Sequence, residues 1–99
     1  GESDGQLYLL WGRNNHPDFG HYELYRSENP EFAPGPGNKV ADVKNEQYVC
    51  ARHVDKGLKS HTRYWYRLRA VDKRGACGGF SEAFSGLTRF GGDYSAKKP

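Results

Sequence analysis

The chain has 99 residues, among them thirteen glycines, five prolines, seven tyrosines and two tryptophans. That is enough for one small domain, and the composition favours short strands joined by turns over helices. Fifteen basic residues stand against twelve acidic ones, mixed along the chain, which excludes the clustered basic stripe of a nucleic-acid binder. No apolar run approaches the roughly 18–20 residues of a membrane helix, so membrane insertion is not expected.

In chain order, Gly1–Gly5 is polar and reads as a disordered stub (1–5). The abrupt GESDG opening, with no signal-peptide pattern, has the look of a piece of a longer protein. A domain over 6–88 follows. Gln6–Trp11 alternates, with Leu7, Leu9 and Trp11 on one face of a strand, and Gly12–Gly20 has loop composition. His21–Ser27 reads as a second strand with Tyr22 and Leu24 inward, and Glu23 and Tyr25 outward. Glu28–Asn38 holds three of the prolines and reads as an exposed connection that Phe32 pins down. Lys39–Val43 is expected as a short edge strand and Gln47–Val54 as another strand.

The chain is organised around Leu58–Asp72. Tyr64, Tyr66, Leu68 and Ala70 share one parity there, and Trp65, Arg67, Arg69 and Val71 the other, the period of a long half-buried strand. Leu58 stands six residues before Tyr64. That spacing predicts a corner in which the Tyr64 hydroxyl bonds back to upstream backbone. Lys73–Gly79 reads as a glycine-rich hairpin loop, Phe80–Thr88 as a last strand with Phe84 in the core, and 89–99 as a linker or tail. Six strands at this spacing predict an all-β antiparallel sandwich.

Trp11, YELYRS at Tyr22–Ser27, VDKGLKSHTRYWYRLRAVD at Val54–Asp72 and FSEAFS at Phe80–Ser85 together resemble a fibronectin type III domain, of the immunoglobulin-like kind. The most specific piece is L-x-x-x-T-x-Y, here Leu58, Thr62 and Tyr64. The wording of this stretch is similar to modules appended to secreted bacterial carbohydrate-active enzymes. The resemblance implies a non-catalytic accessory module, a spacer or docking unit, of a larger glycan-degrading enzyme that is extracellular, periplasmic or at the cell surface. Neighbouring domains of the same polypeptide would be its partners. Two departures stand out. Ser60 replaces the family's usual corner proline, and the stretch before Trp11 is too short for the family's first strand: either the piece is cut inside the domain, or the module lacks that strand and leaves an edge open to pairing.

Four outward residues, Tyr25, Trp65, Arg67 and Arg69, form the first candidate interaction surface. They admit three readings: a self-stabilising aromatic–arginine ladder, a face for a neighbouring domain, or a polysaccharide-stacking surface. The second candidate is a loop pole carrying Arg13, Asn15, His16 and Arg74, where a sandwich could alternatively bind another protein as part of a receptor or adhesin. The four histidines form no HxH or HxxxH pair, so neither a metal nor a cofactor is expected. The resemblance sets His53 where the family usually keeps a core aromatic, which implies a hydrogen-bonded, mostly buried imidazole. The carboxylates are scattered, with Asp55 and Asp72 expected at opposite ends, and Cys77 has no fixed histidine beside it. No catalytic residue is assigned and no enzymatic activity is expected. A Cys50–Cys77 disulfide is left open, because the parity of its strand sets Cys50 outward.

Overall fold

A computed structural model describes residues 5–45, 50–88 and 93–97, with residue 50 and residues 93–97 as backbone only. The strands are β1 (Gly5–Gly12), β2 (Phe19–Ser27), β3 (Lys39–Val43), β4 (Cys50–Leu58), β5 (Arg63–Asp72), β6 (Phe84–Leu87) and β7 (Asp93–Lys97). They form a three-stranded sheet in the order β4-β1-β7 and a four-stranded sheet in the order β3-β2-β5-β6. Every pairing is antiparallel except β1 with β7. The expected all-β sandwich is what forms.

Alternation builds the core. Leu7, Leu9 and Trp11 of β1 meet Tyr22 and Leu24 of β2, Tyr64, Tyr66 and Leu68 of β5, and Phe84 of β6, all buried in one cluster. Their inward parity follows from the period of two in each strand. Trp11 packs edge-on against Tyr22 at 5.3 Å between ring centres. Phe32 is buried and fixes the long 28–38 connection to the body.

The corner before β5 has the expected bond, with the Lys59 N–H donating to the Tyr64 hydroxyl at 2.9 Å. Leu58 is buried beneath it, and Gly57 turns the chain with φ of 73°, a conformation that glycine adopts without penalty.

Several elements differ from the sequence-based expectation. β4 runs on to Leu58, and the expected start of that strand at 47–49 lies outside the described residues. β6 is confined to Phe84–Leu87, because Ser81 replaces the ladder before it. The Ser81 N–H donates to the Leu68 carbonyl at 2.7 Å, but the Leu68 N–H is received by the Ser81 hydroxyl at 3.0 Å. Finally, the stretch expected as a tail contributes β7, and Gly5, expected in the stub, begins β1.

Thr88 explains where β7 goes. It is fully buried, its N–H donates to the Thr62 carbonyl at 3.0 Å, and its hydroxyl accepts from the Thr62 N–H at 3.1 Å and bonds the Lys59 carbonyl. A Cβ on Gly5 would lie 3.1 Å from the Thr88 methyl and 2.9 Å from the Leu58 carbonyl oxygen, so the chain leaves the larger sheet beside the start of β1. A strand that continues from there along β1 must run in the same direction. β7 does so, from Gln6 opposite Asp93 to Leu10 opposite Lys97. The open row of β1 amides and carbonyls is the physical reason a tail becomes a strand.

Candidate functional site

The first candidate surface is the outer face of β2 and β5. The register sets Glu23 opposite Arg69, Tyr25 opposite Arg67 and Ser27 opposite Trp65. Arg69 Nε donates to Glu23 Oε1 at 2.6 Å, and the Tyr25 hydroxyl donates to the same oxygen at 2.9 Å. Phe80, from the segment after β5, lies with its ring 4.8 Å from the Arg69 guanidinium carbon, 5.7 Å from that of Arg67, and 5.2 Å edge-on from the Tyr25 ring. Arg67 Nε donates to the Ser81 carbonyl at 2.9 Å.

Tyr25 was expected outward and accessible. It does face outward, but Phe80 and Arg69 cover it and leave only 5% exposed. A ring buried in this way offers no face to a sugar, so of the expected pair only the half-buried Trp65 remains available for stacking. Phe80 is the residue that the strand alternation did not assign to this face, because 80–83 is not a regular strand and its parity has no meaning there.

The electrostatics of the face follow from these contacts. The Arg69 hydrogen bond holds the Glu23 carboxyl below the usual carboxylate range, and burial pushes the Tyr25 phenol up. Beside them His21, Glu23 and Asp42 bring potential ligand atoms within 4.8 Å of one another, a grouping made by two strands that spacing along one segment does not reveal. Two cations already occupy it. Lys39 Nζ lies 2.7 Å from Asp42 and 3.6 Å from Glu23, and Arg69 holds Glu23 from the other side. A metal ion would have to displace them, so these residues are arranged as an ion-pair network.

The expected loop pole also forms. The Lys73 N–H donates to the Asp18 carbonyl at 2.9 Å, which ties the 12–20 loop to the 73–77 turn. The turn is held by the Asp72 carboxylate, which accepts the N–H groups of Ala76 and Arg74 at 2.9 Å each, and these bonds, Ala76 first, keep its pKa low. Asn14, His16, Asp18, Phe19 and Cys77 line a shallow groove of about 320 Å³ there. Cys77 is a free, exposed thiol, and the Cys50 side chain lies outside the described residues. Arg13, Asn15, His16 and Arg74 are all exposed at this pole, but Asn15, Arg13 and Arg74 do not line the groove. Beneath it the Tyr22 hydroxyl accepts the Asn14 N–H and donates to Asn45, both at 2.7 Å. His53, expected mostly buried, stands opposite Leu9 and is half-buried.

At the other end the two sheets are joined by a buried polar cluster. Asp55 on β4 receives Arg26 Nη1 on both oxygens, at 2.8 and 2.9 Å, and the fully buried Tyr66 hydroxyl at 2.7 Å. Burial pushes the Tyr66 phenol far above its ordinary range, so it stays a donor. Asp55 and Asp72 do lie at opposite ends. The inward parity that Asp55 shares with Ala51 was the available signal for its role.

Comparison with protein-family models, curated proteins and solved structures finds no match for this chain.

Proposed function

We propose that this chain is a non-catalytic accessory module, a spacer or docking unit, of a larger secreted glycan-degrading protein. The carrying observation is the outer face of β2 and β5, where Glu23, Tyr25, Arg67, Arg69 and Phe80 satisfy one another. Side chains already committed in this way make a stiff, closed surface suited to separating or seating neighbouring domains. The Tyr25 hydroxyl, Glu23 Oε1 and the Nε atoms of Arg67 and Arg69 are already engaged within the face.

The fibronectin type III resemblance supplies the enzyme context and the extracellular setting. The placement of β1 and β4 in one sheet and β3, β2, β5 and β6 in the other agrees with that resemblance. Fold likeness alone does not select a function, so the docking role rests on the closed face.

The test is native electrophoresis of the chain through gels containing a panel of plant and host polysaccharides, beside Trp65→Ala, with chromogenic glycosides assayed in parallel. We expect unretarded migration and no hydrolysis. Retardation that Trp65→Ala abolishes would make this a carbohydrate-binding module, and hydrolysis would overturn the non-catalytic reading.

A further inference from the structure

We propose that Arg63, Trp65 and Arg67, at one end of the outer face of β2 and β5, seat an extended acidic segment of a neighbouring domain. That segment carries two carboxylates four residues apart and an apolar side chain midway between them. The seat presupposes the docking role proposed above. The face is closed at its other end, where Glu23 answers Arg69 and guanidinium groups lie against the rings of Tyr25 and Phe80. Trp65 is outside that arrangement. It is half-buried, and among the described residues its indole has no hydrogen-bond, ring or guanidinium partner. Its cross-strand neighbours are Ser27 on β2 and Ser85 on β6, side chains too short to cover an indole.

Charge sets the chemistry of the partner. Arg63 and Arg67 stand on either side of Trp65 in β5, on the same outward face. Each is hydrogen-bonded only to a neutral oxygen. Arg63 Nη1 donates to the Ser85 hydroxyl at 3.0 Å, and Arg67 Nε to the Ser81 carbonyl at 2.9 Å. Neither has a carboxylate partner among the described residues, whereas Arg69 on the same strand does. Two guanidinium groups with donors to spare, one on each side of an open aromatic ring, are complementary to a pair of carboxylates flanking an apolar group. An extended chain laid along β5 repeats at the spacing of β5 itself, about 3.3 Å per residue. Its carboxylates at positions four apart then meet Arg63 and Arg67, roughly 13 Å apart along the strand, and the residue midway rests on Trp65. That spacing favours a peptide over a charged polysaccharide.

The experiment follows the indole N–H resonances of the two tryptophans in the isotope-labelled full chain, assigned with Trp65→Ala. The synthetic peptide Thr-Glu-Thr-Val-Thr-Glu-Thr is added to about millimolar concentration. We expect the Trp65 resonance to shift and that of the buried Trp11 to stay in place, which also reports that each variant is folded. Arg63→Gln or Arg67→Gln should weaken the binding about threefold, and Lys56→Gln on β4 should leave it unchanged. No shift, or an equal shift when glutamine replaces both glutamates of the peptide, would overturn the seat and leave the spacer reading standing. A shift of the Trp65 resonance by polygalacturonate and not by the peptide would overturn both the seat and the docking role.

Discussion

Glu23 determines the character of the larger sheet's outer face. Its carboxylate accepts from Arg69 and Tyr25 and lies 3.6 Å from Lys39, with only 15% of its side chain exposed. Charge-assisted bonds in a partly screened site stabilise more than surface pairs do, and Glu23→Gln should lower stability at pH 7 by about 1 kcal/mol. The pH dependence has a definite sign. The folded-state pKa is depressed, so the stabilisation is fully present above the unfolded carboxylate value of about 4.3 and is lost as the pH falls through the lower folded value. Urea unfolding of both proteins should show a constant gap from pH 8 down to about pH 5 that narrows below about pH 4. A gap that stays constant into acid would mean the ion pairs contribute nothing.

Among the elements, β2, β4 and β5 are coupled by one side chain. Removing Asp55 would leave the buried Tyr66 hydroxyl without its acceptor and the Arg26 guanidinium without its counter-charge. Asp55→Ala should therefore cost about 3 kcal/mol in denaturant unfolding, and Asp55→Asn less, because it keeps an acceptor for Tyr66. A loss below about 1 kcal/mol for Asp55→Ala would show that the sheets do not depend on the cluster. Much of this element structure is legible in the sequence. Alternation identifies the core faces of β1, β2 and β5, and the spacing of Leu58, Thr62 and Tyr64 predicts the corner bond. The outer face is legible only in part, since the parity of Tyr25 says outward while its burial depends on Phe80, which arrives from an irregular segment. The Asp55 cluster spans three strands that are distant in sequence, and no local pattern announces such a meeting. That the last core strand begins only at Phe84 depends on one Ser81 hydroxyl taking a ladder position ahead of it, which composition does not encode.

At the scale of the whole molecule, the sandwich is completed by its own C-terminal strand. The sequence shows an uncovered edge at β1, and DYSAK has the alternation of a strand, but nothing local says that the two should pair. That follows from Thr88, whose buried bonds deliver the chain to the start of β1. With the edge closed by β7 and the outer face of the larger sheet closed by its own ion pairs and rings, the proposed spacer or docking role requires a body that holds its shape at both sheets. The most direct measurement is urea unfolding and light scattering of the chain ended after Thr88 beside the full 99 residues. Loss of β7 uncovers the flank of Leu7 and Leu9, so the shortened chain should be less stable by about 2 kcal/mol and should self-associate through the opened edge. Equal stability and a monomer in both would contradict the completion of the sandwich by β7.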